Sequence, residues 1–316
     1  LHEISKVQYV LSVDKNDITK SKKLCERVGN SYYNKLRDKQ SPGLVLFSSG
    51  TSGEPKVAIH NFSALLEKFM VRRKSLRTIN FLLFDHWGGL NTMFHILSNK
   101  GILISLTDRS PENVCRLIQN HKVQLLPVSP TFLNLLLVSK LYKKFNLKNL
   151  KVISYGTEPM PKTTLKHLNL IFPNVKLVQT YGLIELGVLH SKSKSQDSLW
   201  MKVGGDGYQT RIVDGILQIK AKSAMLGYLN AKSPFTDDGW FITGDEVLEK
   251  DGYIKVLGRK SEIINVGGEK VYPQEIENVI LNLDEIDDVT VFGEKNPIMG
   301  NIVCANIKSS KKMDKK

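Results

Sequence analysis

The chain has 316 residues, 41% of them hydrophobic and 24% charged, the composition of a globular protein with a sizeable core rather than a disordered or fibrous one. Three scattered cysteines, Cys25, Cys115 and Cys304, without CxxC spacing exclude a disulfide framework or a thiolate zinc site and fit a reducing compartment. The formal charge of +14 lies on dispersed lysines rather than on an arginine–aromatic stripe, so it reads as a solvated surface, with a nucleic-acid partner as the alternative. No apolar run reaches membrane-span length and no secretory signal pattern is present, so a cytoplasmic chain is expected, without a membrane span or nucleic-acid contacts.

From residue 44 to about 180, short apolar runs alternate with longer amphipathic ones. "GLVLF" (43–47), "NFLLF" (80–84), "GILISL" (101–106), "KVQLLPV" (122–128), "LKVISY" (150–155) and "VKLVQT" (175–180) predict buried strands. Between them, 61–76, 88–100, 110–121, 129–145 and 160–172 predict helices, and "SPEN" and "SPTF" supply a Ser cap with Pro in the first turn. That alternation implies an α/β fold with mainly parallel sheets flanked by helices. Beyond Gly187, "YQTRIVDGILQIKAKSA" (208–224) and "DGYIKVLGR" (251–259) predict a small antiparallel β unit with Asp-Gly turns. From Gly258 a third texture begins, with a helix over 273–283 and strands over 287–293 and 301–308. It predicts the start of a small α+β C-terminal domain.

The most informative stretch is "SSGTSGEPK" (48–56), set between two apolar runs. A plain hydroxyl-rich turn needs neither its Lys nor its glycines, which are costly to order. A Walker loop is excluded by the spacing and by the strand-like "VAI" that follows. An anion-binding loop of another kind fits. Gly50 and Gly53 let the backbone approach closely, Ser48, Ser49, Thr51 and Ser52 offer hydroxyls, and Lys56 adds a compact positive charge.

This segment resembles the phosphate loop of the adenylate-forming (AMP-binding) superfamily, which includes acyl-CoA synthetases, luciferases and peptide-synthetase adenylation domains. Further segments resemble that family's motifs in their order: "SYGTEPMP" (154–161), "QTYGLIELG" (179–187), "AMLGYLN" (224–230), "DGWFITGDEVLEKDGYIKVLGR" (238–259) and "GRKSEIINVGGEKVYPQEIE" (258–277). Within the family, "EKVYPQEIE" is more similar to acid–CoA ligases than to amino-acid-activating modules.

The resemblance implies roles for particular residues. Gly156, Thr157 and Glu158, with Gln179, Thr180 and Gly182, would line the nucleotide pocket, and the Tyr181 ring would stack on adenine. Asp245 would hold the ribose hydroxyls and Arg259 would reach ribose or phosphates. Lys56, Glu185 and Lys270 would serve catalysis, Glu185 as the Mg2+ ligand and Lys270 as a side chain facing the phosphates. Gly267 and Gly268 would border a pantetheine channel, His86 and Leu183 the acyl pocket, and Ser261 the hinge. A buried structural histidine is the competing reading for His86. Two positions depart from the family pattern: Ile184 stands where Thr is usual, and Ser261 where the hinge is commonly Asp or Lys.

The implied domains are 1–258, an AMP-binding domain lacking its first part, and 259–316, a partial C-terminal domain. No segment like the family's C-terminal catalytic Lys motif is present, and the phosphate loop begins early, so a fragment of a longer protein is expected. The implied activity is ATP-dependent activation of a carboxylic acid followed by transfer to a thiol, with ATP, Mg2+ and coenzyme A or another pantetheine thiol. The alternatives are a module loading an acyl carrier protein and a non-catalytic nucleotide binder.

Overall fold

A computed structural model of the chain describes residues 2–26, 29–48, 55–205, 207–283, 285–297 and 299–309. The predicted strand–helix alternation builds a five-stranded parallel sheet. Its order is Ile102–Ile104, Arg77–Ile79, Leu125–Val128, Val152–Tyr155 and Lys176–Gln179. Three helices lay apolar stripes into its core. Pro111–His121 contributes Val114, Cys115 and Ile118, Pro130–Ser139 contributes Phe132, Leu133 and Leu136, and Lys162–Ile171 contributes Leu165 and Leu168. These are the three- and four-residue spacings of one helix face, packed on Leu126, Ile153 and Leu177. Each fully buried aliphatic chain contributes about 1.5–3 kcal/mol. Burial also pushes the Cys115 thiol up to about 11, so it is an inert core group.

Several local expectations shift. The runs on either side of the 48–56 stretch do not join the parallel sheet: Gly43–Ser48 pairs antiparallel with Lys56–Asn61, and Gly227–Tyr228 adds beside the latter. The connection 49–55 can close a hairpin, but parallel pairing needs a crossover of roughly a dozen residues or more. "NFLLF" is not a strand. The strand is Arg77–Ile79, ahead of it, while Leu83 and Phe84 are exposed and the buried Asn80 side chain donates to the Leu82 carbonyl at 2.9 Å. The helix expected over 61–76 spans only Phe62–Leu66 plus a 3-10 turn to Phe69, because Arg72, Arg73 and Lys74 in succession leave no apolar face to bury. The helix expected over 129–145 ends at Ser139, where Lys140 turns left-handed. Tyr9–Val13 and Thr19–Lys23 form a further hairpin, outside the predicted elements and nearly all exposed.

The antiparallel unit is a six-stranded sheet in the order Ser191–Ser193, Met201–Val203, Tyr253–Arg259, Phe241–Lys250, Ile216–Ala221, Tyr208–Val213. Both Asp-Gly pairs turn its hairpins, with positive φ at Asp214, Gly215, Asp251 and Gly252, as tight hairpin turns require. The C-terminal part has its own core of Ile264, Val289 and Val291 under Ile276 and Ile280. It touches the rest through Tyr272–Glu246 (2.8 Å), Lys162–Asn278 (2.8 Å) and Asn134–Asp287 (2.9 Å).

Candidate functional site

The site grows from the carboxyl ends of two neighbouring parallel strands, Val152–Tyr155 and Lys176–Gln179, the usual place for ligands in open α/β sheets. The strand ends approach unusually closely. The Thr180 backbone N–H and hydroxyl both donate to the Tyr155 carbonyl (2.8 and 3.0 Å), and a Cβ at Gly156 would lie 2.3 Å from Thr180 Oγ1. Thr157 holds φ +75°, strained for a β-branched residue and of the kind that clusters at functional sites. Glu158 instead serves the fold, since its Oε1 accepts from Thr131 N at 2.6 Å in the first turn of Pro130–Ser139. Gln179 keeps a buried Oε1 without a hydrogen bond.

After Thr180 the chain forms the hairpin Tyr181–Leu183 with Gly187–Leu189, whose tip carries Ile184 and Glu185. Gly182 and Leu183 lie on its first strand, Gly182 exposed and Leu183 half-buried. Tyr181 is buried and its hydroxyl donates to Asp245 Oδ2. Asp245 lies opposite Arg259 in the antiparallel sheet, and that register brings Arg259 Nε to 3.4 Å from Oδ1. Burial holds the Asp245 carboxyl above its ordinary range, although the Tyr181 hydrogen bond and Arg259 pull it down. The same burial, with the Asp245 charge, holds the Tyr181 hydroxyl protonated.

Glu185 Oε1 accepts from the Tyr228 hydroxyl at 2.5 Å, and Lys56 Nζ lies 5.6 Å from the centre of the same ring. Tyr228 therefore joins the tip of the hairpin to the base of the 49–54 loop, a link the sequence did not flag. Asn230 is a second such residue. Its Oδ1 accepts from Val57 N and its Nδ2 donates to the Pro55 carbonyl, both at 2.9 Å, so it grips the backbone on either side of Lys56. A third is His60, buried near the backbone of Ile184 and Ser223 with neither ring nitrogen hydrogen-bonded; burial pushes it down to about 4, so it is neutral at pH 7. All three lie in or beside quoted motifs, yet only their partners in space reveal them. Ile184 fills the apolar cluster of Leu46, Leu65 and Trp87, which explains an aliphatic side chain at that position.

Of the expected residues, Tyr181, Asp245 and Arg259 thus form one linked set and Glu185 and Lys56 meet at Tyr228 in another, and the two sets lie close enough to interact through charge, Glu185 with Asp245 and Arg259 with Tyr228. Ser48, opposite Lys56 in the hairpin, closes the described base of the loop, whereas Ser49, Gly50, Thr51, Ser52 and Gly53 lie outside the described residues. Others stand apart. Lys270 Nζ lies 3.4 Å from Glu246 Oε1, and Glu246 faces away from Asp245 along the strand, so Lys270 meets a carboxylate outside the group. Gly267 and Gly268 form the turn of the hairpin Ile264–Val266 with Glu269–Val271, both with positive φ; a Cβ at Gly268 would meet nothing within 4 Å. Ser261 sits exposed in the 3-10 turn Lys260–Glu262 directly after Arg259. His86 is an exposed residue at the start of the helix Trp87–Ser98 rather than a buried one. Its neighbour Trp87 is buried against Gly187, where a Cβ would lie 2.7 Å from the indole nitrogen.

A nucleotide suits this donor set: an aromatic ring, a buried carboxylate acceptor for hydroxyls, and Lys56 and Arg259 for phosphates. Among the described residues no cluster of three His, Cys, Asp or Glu could hold an ion. Mg2+ would therefore combine the Glu185 carboxylate with phosphate oxygens, its usual mode.

Sequence comparison agrees with this class of site. The profile of the family described as AMP-binding enzyme matches residues 2–229, and that of the AMP-binding enzyme C-terminal domain matches 260–316. The chain belongs to the AMP-binding enzyme family. It is 29% identical to acyl-CoA synthetase 7 of Caenorhabditis elegans, over 85% of this chain and 56% of that one. It is 27% identical to indoleacetate–CoA ligase of Aromatoleum aromaticum, over 84% and 57%. The chain thus spans less than three-fifths of the length of these two relatives. Its fold matches that of the amide bond synthetase McbA from Marinactinospora thermotolerans with a TM-score of 0.73 at 21% identity, over 86% of this chain and 59% of that one.

Proposed function

We propose that this chain is the nucleotide-binding part of an AMP-forming acid–CoA ligase. The observation that carries the reading is the neighbouring pair of sets Tyr181–Asp245–Arg259 and Glu185–Tyr228–Lys56, gathered from segments far apart in the chain. In this reading the Tyr181 ring supports the base and Asp245 exchanges its Tyr181 hydrogen bond for ribose hydroxyls. Lys56 and Arg259 draw off phosphate charge, and Glu185 holds Mg2+, which would further neutralise the triphosphate. A substrate carboxylate displaces pyrophosphate from the α-phosphorus, and the acyl-adenylate then passes its acyl group to a thiol with release of AMP. Positioning and charge neutralisation supply the acceleration. Names of the relatives favour coenzyme A as the acceptor over a carrier protein. The open turn at Gly268 leaves room for a pantetheine arm.

The domain boundary proposed at 258/259 is supported by the start of the C-terminal profile at 260. Among the described residues no helix is long and apolar enough to cross a membrane. The test is calorimetric titration with ATP and Mg2+ of the parent chain and of the Lys56→Ala and Asp245→Ala variants. Binding by the parent that weakens in each variant is expected. Binding that survives both substitutions would reject the site.

A further inference from the structure

A second polar cavity lies behind the hairpin that bears Tyr181 and Glu185. It has a volume of about 110 Å³, space for roughly four waters at liquid density. Its walls come from three segments. Lys68 and Arg73 flank it on one side, Asn91 and His95, one turn apart on Trp87–Ser98, on another, and Val188 and His190 on the third. Among the described residues no carboxylate lines it. Lys68 Nζ is held in place by donating to the Val188 carbonyl at 2.9 Å and lies 5.9 Å from the centre of the Trp87 ring. Arg73 Nη2 lies 3.1 Å from His190 Nε2. Burial, and next the Arg73 charge, push Lys68 down to about 8, so it remains charged at pH 7; burial, Arg73 and Lys68 together push His95 down. The Asn91 Oδ1 is buried without a hydrogen bond, and turning that amide would offer a further donor.

Burying Lys68 beside Arg73 with no acid among the described lining residues disfavours the empty cavity electrostatically, although exposed Arg73 and His190 remain screened by water, and an anion would offset that cost. The cavity's position limits which anion. Leu189 lies opposite Tyr181 in the hairpin, and Trp87, one turn before Asn91, packs against Gly187. The cavity thus lies further along the same helix and the same hairpin that carry His86 and Leu183, the residues bordering the acid to be activated in the reading above. We propose that it binds a carboxylate at the far end of the acyl substrate, so that the acid activated is a dicarboxylic acid. This rests on the acid-activating reading above.

The experiment titrates this chain calorimetrically with diacids from succinate to suberate and with monocarboxylic acids of the same lengths. Inorganic phosphate serves as a free-anion probe, and ATP with Mg2+ is titrated separately. One diacid length is expected to bind roughly tenfold to a hundredfold tighter than its monoacid, the worth of a charge-assisted contact. Lys68→Met and His95→Leu should each erase that preference, and Lys68→Arg should restore part of it. All three variants should bind ATP as the parent does, which also reports that they fold. Equal binding of diacids and monoacids, or phosphate binding as tight as the best diacid, overturns the proposal. Lys68-dependent diacid preference without ATP binding keeps the carboxylate site and removes the activation reading. ATP binding without diacid preference does the reverse.

Discussion

Asp245 and His60 are both buried ionisable groups, and burial moves them in opposite directions, each toward its neutral form. For Asp245 the folded-state pKa is raised, so its contribution to stability is complete below the unfolded value and declines as pH rises through the folded one. Asp245→Asn should accordingly raise the melting temperature at pH 7 while weakening ATP affinity. A lower melting temperature would mean that Arg259 more than offsets the desolvation of the carboxylate. For His60, lowered from 6.5 to about 4, the sign reverses: the stability is present above pH 6.5 and is lost as pH falls toward 4. The loss amounts to about 3 kcal/mol at most, at 1.36 kcal/mol per pH unit. Urea unfolding of the parent and of His60→Leu at pH 7 and pH 4.5 should show a shallower pH dependence in the variant. Parallel curves would reject the assignment.

Between neighbouring elements, the narrowest approach is that of the strand ends at Gly156 and Thr180. Gly156→Ala would place a methyl 2.3 Å from Thr180 Oγ1 and 2.8 Å from its carbonyl, and the backbone atom cannot rotate away. An overpacking cost of about 1–3 kcal/mol is expected, with weaker ATP binding because Tyr181 follows Thr180 directly. Ser110→Ala is the matched control. Ser110 caps Pro111–His121 by accepting from Asn113 N at 3.3 Å, so its loss should cost about 1 kcal/mol and leave ATP affinity unchanged. Urea denaturation and calorimetry on both variants separate the two effects. Equal ATP affinity in Gly156→Ala would show that the tight approach serves packing alone.

Across the whole molecule, Glu246 is the counterpart of Asp245 on the opposite face of the same strand. Its Oε1 takes the Tyr272 hydroxyl at 2.8 Å and Lys270 Nζ at 3.4 Å, joining the large sheet to the C-terminal part, while Oε2 is buried without a hydrogen bond. Desolvation together with Glu246 pushes Tyr272 up to about 12, so the hydroxyl stays protonated, and can donate, well above neutral pH. Tyr272→Phe leaves that carboxylate with only the exposed Lys270. Hydrogen exchange in 264–271 should then quicken, with exchange in the parallel sheet unchanged. Unaltered exchange in 264–271 would mean that Asn278 and Asp287 fix the C-terminal part without Glu246.

Much of this protein is written locally. Helix stripes such as Val114, Cys115 and Ile118, the Ser-Pro starts at 110–111 and 129–130, and the Asp-Gly turns at 214–215 and 251–252 follow from period, capping and backbone freedom, which act within a few residues. The order of glycine-, tyrosine- and aspartate-bearing motifs made the family legible, and Asp245 with Arg259 followed from one hairpin register. The remainder is non-local. Asn230 reaches Val57 across 173 positions, Tyr228 joins Glu185 to Lys56, and Lys270 finds Glu246 rather than the phosphate-facing group. The cavity around Lys68 exists only because three separate segments fold against one another. Sequence determines which residues can form an element and which carry chemistry. Burial and sheet register, set only by the packed chain, decided which of those residues meet.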